Sequence, residues 1–95
     1  MIVIVSRNCI RPDRRQAFLE VTAPLVEQSR AEEGCLSYDL VADPADPNVF
    51  AFVERWRDQQ ALDAHNRSGH FQTIVPQMKA LRQPAGSQTT IYRSL

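Results

Sequence analysis

The stretch from Phe50 to Phe71, FAFVERWRDQQALDAHNRSGHF, constrains the fold more than any other part of the chain. Over residues 49–57, Phe50, Phe52, Glu54 and Trp56 recur at every second position, the period of a strand with one buried face. Asp58 follows at once. A short acidic side chain ahead of Ala61, Leu62 and His65, which share one side at helical spacing, marks a helix N-cap and a helix over 59–67. A strand that buries aromatic rings and runs directly into such a helix needs the helix folded back over that same face. The chain's only tryptophan and both of its histidines lie in this stretch, beside a carboxylate set among aromatics, so any chemistry is expected here.

The flanking segments supply the remaining layers. Residues 2–11 (IVIVSRNCIR) are rich in Ile and Val and stop at Pro12, which predicts a first strand. Ser6 and Asn8 share a face with Ile2, Ile4 and Ile10, while Arg7 and Cys9 share the other. Pro12 and Asp13 suit the first turn of a helix. Phe18, Val21 and Leu25 carry its apolar side toward Glu33; Pro24 predicts a kink and Gly34 a left-handed cap. Residues 35–42 alternate, with Leu36, Tyr38 and Leu40 on one face and Ser37, Asp39 and Val41 opposite, a second strand. The run Asp43-Pro44-Ala45-Asp46-Pro47-Asn48 predicts a hairpin loop into the third strand. Ser68-Gly69 breaks the helix begun at Asp58. A further helical piece over roughly 70–82 turns Phe71, Ile74, Val75, Met78 and Leu81 inward, and residues 88–93 form a last strand.

The predicted order is therefore βαββαβ, a ferredoxin-like α+β arrangement. Right-handed crossovers place the first strand between the third and fourth, and the third between the first and second. Helices then cover one sheet face. The other face is too apolar for water, so a partner, in the simplest case a second copy, is expected on it.

Ninety-five residues fit one domain spanning 1–95. Eleven basic and eleven acidic residues cancel, and the arginines are scattered, which argues against nucleic acid or an anionic membrane as partner. No apolar run approaches the ~20 residues of a bilayer span, and the first residues read as a strand, so a cytoplasmic location is expected. Cys9 and Cys35 are too few for a disulfide framework. In this topology they lie on parallel strands with another strand between, beyond the ~7 Å reach of a disulfide, and are read as reduced and structural.

Glu54, on a face shared with Phe50, Phe52 and Trp56, is a carboxylate in partly apolar surroundings and a candidate general base; the alternative is an ion pair with an arginine. His65 points at the sheet and is a candidate proton acceptor; a core histidine with satisfied nitrogens is the plain alternative. His70 opens the second helical piece, where the helix N-terminus favours a neutral imidazole. The two histidines stand at a spacing of five across a break, and no cysteine or acidic residue stands at metal spacing, so no metal site is expected. Tyr38, Trp56 and Phe52 are candidate walls of an aromatic pocket. Asn8, an amide on an apolar face, is a candidate contact to a substrate oxygen. There is no Gly-rich phosphate loop, nucleophile elbow or dinucleotide fingerprint, so no cofactor is expected.

Taken in order, Glu33-Gly34-Cys35-Leu36-Ser37-Tyr38-Asp39-Leu40, Asp46-Pro47, Glu54-Arg55-Trp56-Arg57-Asp58, Ala61-Leu62, His65 and Ser68-Gly69-His70-Phe71 form a pattern. In outline it reads E-x-G-C-x-x-Y, E-x-W, H, S-x-H-F, and it resembles the antibiotic biosynthesis monooxygenase family. The resemblance implies a dimeric α/β barrel, in which two sheets meet and the helices lie outside. It also implies oxygenation of a quinol or polycyclic phenol without metal or flavin: the substrate is deprotonated, and its carbanion reduces dioxygen directly. In that reading His65 and Glu54 are the acid–base pair, His70 and Asn8 supply polar contacts, and Tyr38, Trp56 and Phe52 shape the pocket. Haem-degrading relatives use a helix histidine as iron ligand, but Val75 stands where that ligand would be. Other relatives isomerise signalling sugars. A non-oxidative proton-transfer enzyme and a non-catalytic ligand-binding module are therefore the competing expectations.

Overall fold

The computed structural model describes all 95 residues. The elements follow the predicted order: β1 (Ile2–Cys9), a single 3-10 turn at Pro12–Arg14, α1 (Arg15–Arg30), β2 (Cys35–Ala42), β3 (Val49–Trp56), α2 (Gln59–Arg67), α3 (Gly69–Lys79) and β4 (Gln88–Arg93). The strands make one sheet in the order β2-β3-β1-β4, with every neighbouring pair antiparallel. This is the ferredoxin-like α+β arrangement.

The register shows why one face is core. Ile4 stands opposite Glu54 on β3 and Ile91 on β4, while Tyr38 on β2 also faces Glu54. Every second residue of β1 and β3 thus points at the helices, and Ile2, Ile4, Phe50, Phe52 and Trp56 are buried there. Phe18 and Leu25 of α1 and Ile74 and Met78 of α3 close over them. The Phe18 and Phe50 rings stack with centroids 5.1 Å apart. At about 25 cal/mol per Å² of apolar area, burial of such rings is the main force holding helices to sheet.

Asp58 is the cap of α2, its side chain accepting from the Ala61 N–H at 2.8 Å. Ser68 ends α2 and opens α3: its hydroxyl donates to the His65 carbonyl at 2.6 Å and accepts from the Phe71 N–H at 3.2 Å. α1 continues through Pro24 and α3 through Pro76. Both cysteines are free. Cys9 pairs with Val49 and Cys35 with Trp56, so they lie toward opposite ends of β3. No helix is long and apolar enough to cross a membrane.

Two local expectations are corrected. α1 ends at Arg30, and Gly34 does not take a left-handed conformation; the one glycine that does is Gly86, at φ 93°. Gly34 is required for a different reason: a Cβ there would collide with the Cβ of Ala61, so its bareness lets α2 lie against the turn after α1. The regular alternation of β2 fails at its start, where a bulge falls between Cys35 and Ser37. The extra residue moves Leu36 off the core face, leaving it 57% exposed, and puts Cys35 opposite Trp56.

The face away from the helices carries Val3, Val5, Ala51 and Val53, all half-buried, with Val41 and Tyr92 exposed beside them. This is the open apolar face that the sequence pattern predicts.

Candidate active site

Between the covered face of the sheet and the helices lies a cavity of about 290 Å³. That is the size of a site for one small molecule. His65, Glu54, Tyr38 and Phe52 line it, from four different positions in the chain.

His65 arrives on the inner side of α2 and is 1% exposed. Its Nδ1 is 2.6 Å from Oε2 of Glu32, a residue in the turn after α1. The same oxygen is 2.9 Å from Nε2 of His70, the second residue of α3. A carboxylate oxygen accepts hydrogen bonds, so each histidine presents an N–H to Glu32. For His65 this places the proton on Nδ1 and leaves the Nε2 lone pair as the group it can offer to the cavity. Two effects oppose each other at this ring. Burial disfavours the imidazolium and lowers the His65 pKa, while the Glu32 carboxylate pulls it back up; the net direction is down. The imidazole is therefore neutral and able to accept a proton at neutral pH.

Glu54 is 7% exposed, and burial, with a smaller contribution from the charge of Glu32, raises its pKa to about 7. The Trp56 indole N–H donates to Glu54 Oε1 at 3.0 Å, which opposes that rise. Near neutrality Glu54 thus exists in both protonation states and can give a proton as well as hold one. Trp56 also packs its ring against His65, centroids 4.4 Å apart. Tyr38 stays a phenol, its pKa pushed up first by burial and then by Glu54. Burial and the Glu32 charge raise the Cys35 thiol to about 11, which keeps it from serving as a nucleophile at neutral pH.

The remaining candidates stand behind the lining. Trp56 is fully buried between Glu54 and His65, so it orients both without walling the cavity. His70 lies on the far side of Glu32 and helps fix that carboxylate. Asn8 is fully buried, its amide donating to the Ser6 carbonyl at 2.9 Å while its oxygen accepts from Nε of Arg82. Asn8 itself does not line the cavity; the polar side chains that do include Arg82, Lys79 and Ser6.

Sequence reasoning missed Glu32, Arg82 and Lys79. The expectation that no acidic residue joins the two histidines at metal spacing is corrected: Glu32 does so in space, from 33 and 38 residues away along the chain. The one signal for it was its place as the first letter of E-x-G-C. The three ligand atoms of Glu32, His65 and His70 lie within 4.8 Å of one another, a grouping that could close on a divalent cation. Their contacts are those of hydrogen bonds, however. Ligands of a tetrahedral metal at ~2.0–2.1 Å stand roughly 3.3 Å apart, and 2.6 and 2.9 Å are shorter than that.

Fold and site together define a small α+β protein in which a buried histidine and a buried glutamate line a pocket between sheet and helices. The model of the antibiotic biosynthesis monooxygenase family matches residues 1–77, and the chain belongs to that family. The YcnE protein of Bacillus subtilis, named as a candidate monooxygenase, is 40% identical over 81 residues, covering 85% of each chain. An isomerase of (4S)-4-hydroxy-5-phosphonooxypentane-2,3-dione from Klebsiella pneumoniae is 31% identical over 80 residues, covering 84% of this chain and 81% of its own. Among solved structures, an antibiotic biosynthesis monooxygenase superposes with a TM-score of 0.92 at 33% identity, covering 100% of this chain and 99% of that one. A conserved protein of Methanosarcina mazei reaches 0.93 at 31% identity, covering 99% and 92%.

Proposed function

We propose that the protein is a proton-abstracting monooxygenase acting on a small quinol or phenolic ketone, with His65 as base and Glu54 as proton donor. The observation that carries this is the Glu32–His65 contact, which leaves one imidazole nitrogen free and basic beside the cavity. The chemistry balances without an added reductant. His65 Nε2 removes a proton from an activated CH₂ of the substrate, and the carbanion passes electrons to dioxygen to form a C–O bond. Glu54 protonates the resulting peroxide. Loss of the second C–H proton with cleavage of the O–O bond then gives a carbonyl and water, so that R₂CH₂ and O₂ become R₂C=O and H₂O. The apolar residues around Glu54 and His65, among them Ile4, Phe52 and Leu62, support this by limiting contact of bulk water with the carbanion. Tyr38 and Phe52 wall the substrate. The unit is a homodimer joined through the open apolar sheet face.

The isomerase-named relatives favour a second reading, in which the same pair moves a proton between carbons and no oxygen is consumed. Oxygen uptake with a panel of hydroquinones and anthrones, in buffer freed of metal and flavin, separates the two. The oxygenase stops under nitrogen, whereas an isomerase turns over unchanged. Replacing His65 by Ala is expected to cost about 10²–10⁴-fold in kcat. Glu32→Gln leaves the imidazole in place but removes the carboxylate that fixes its tautomer and lifts its pKa. It is expected to lower kcat about tenfold or more and to move the acidic limb of the pH profile to lower pH. Uptake no faster than in buffer, or indifferent to His65→Ala, would defeat the oxygenase reading.

A further inference from the structure

The cavity is not symmetric. Glu54 and His65 hold one end, at the level of Ile4 on β1. The other end, toward Ser6 and Asn8, is made of Ser6, Thr89, Lys79 and Arg82. Two residues of strand separate Ile4 from Ser6, which at ~3.3 Å per residue is roughly 7 Å of backbone. Arg82 is the best-fixed group at that end. Its segment is tied to the end of β1 by the Arg11 N–H to the Leu81 carbonyl at 3.1 Å and the Gln83 N–H to the Cys9 carbonyl at 2.8 Å. Its Nε–H is taken by Asn8, whose own amide is fixed on the Ser6 carbonyl, so the guanidinium has a set orientation.

What this guanidinium lacks is an anion. It is half-buried, yet no carboxylate of the chain pairs with it, and Lys79, one turn earlier, has no ion pair either. Guanidinium stays charged in proteins, and a desolvated charge without a counter-charge is costly. With Nε occupied, the two terminal nitrogens remain, a fork that suits two oxygens of one oxyanion. Ser6 and Thr89 add a donor: their hydroxyls share one hydrogen bond of 2.8 Å, which leaves one O–H free.

We propose that the substrate carries a carboxylate or phosphate group, bound by Arg82 with Lys79 and the Ser6–Thr89 hydroxyl pair, so that its reacting carbon reaches His65 and Glu54. The inference rests on this cavity being the reaction site of the preceding section. Asn8 acts through Arg82, as a positioning residue. The span between the two ends fits one ring, or a chain of about five carbons, between anion and reacting carbon. A purely structural Arg82, present only to satisfy Asn8, is the competing account.

Three probes of similar size separate the two: phenol, para-hydroxybenzoate and phenyl phosphate, titrated into ¹⁵N-labelled protein with the backbone amide signals of the cavity residues followed by NMR. At least one of the anionic probes is expected to bind about tenfold or more tighter than phenol, because a charge-assisted fork is lost with the neutral ring. The better of the two identifies the anion as carboxylate or phosphate. R82Q is expected to abolish the preference while leaving phenol binding in place, and R82K to retain part of it. Phenol binding as well as both anions overturns the proposal, as does R82Q weakening all three alike or changing none. The wild-type comparison stands without any variant, and R82K serves if R82Q does not fold. H65Q keeps the anion preference in either case, so an inactive protein that still prefers anions faults the proton-transfer reading and not this one.

Discussion

Glu54 shows how far a single environment can move a group's chemistry. A carboxylate ordinarily ionised above pH 4.5 is held here among Phe52, Trp56 and Tyr38, and its pKa climbs to about 7. Between these values the folded protein binds a proton that the unfolded chain does not, so stability falls as pH rises through the interval. The full effect is about 3 kcal/mol at ~1.4 kcal/mol per pH unit. Denaturant unfolding at pH 5 and pH 8 is expected to show this loss in the wild type and little of it in Glu54→Gln, which is neutral throughout. Equal pH dependence in both proteins would mean that Glu54 is ionised on folding. In the proposed mechanism the same group is expected to set the alkaline limb of activity near pH 7, with the acidic limb set by His65 below its usual value. Inward Glu54 and His65 were both legible in the sequence, one from a period of two and the other from helical spacing. Glu32 was not, because nothing in the turn after a helix indicates which distant side chains it will meet.

At the level of elements, the site depends on how α2 is seated. Asp58 caps it, Ser68 holds the His65 carbonyl at its end, and Gly34 lets it approach the turn that bears Glu32. Gly34→Ala places a methyl group against Ala61 and must push α2 outward. The expected cost is about 1–3 kcal/mol by urea denaturation, with activity lost as His65 and Glu32 separate. Gly69→Ala is the control: a Cβ there meets nothing within 4 Å, and its effect should stay within about 1 kcal/mol. Equal behaviour of the two variants would show that the contact with Ala61 is not tight. The glycine was visible in the sequence, but its purpose was assigned to a cap. A local signal for chain reversal and a packing constraint from a helix 27 residues later look alike when only the residue type is known. The bulge at Leu36 was hidden for a similar reason, since a single added residue leaves apolar alternation looking regular on paper.

For the whole molecule the telling surface is the sheet face without helices. Val3, Val5, Ala51 and Val53 are only half covered, and Val41 and Tyr92 are exposed at 46% and 54%. Stable interfaces bury about 1,200–2,000 Å² in total, and the face of a four-stranded sheet is of that order. Sedimentation at micromolar concentration is expected to give a dimer, and Val53→Asp, at the centre of the face, to shift it to monomer. A wild-type monomer would refute the dimer outright.

What the sequence determined by itself was periodic: strand order, which faces are buried, the cap of α2, and the family pattern. Each is written in residues a few positions apart, where backbone geometry converts spacing into direction. What only the tertiary structure decided was convergent. Glu32 meets His65 and His70 across 33 and 38 residues, and Asn8 meets Arg82 across 74. Such contacts depend on where whole elements come to rest, which short-range spacing does not encode. The catalytic proposal and the anion proposal both stand on them.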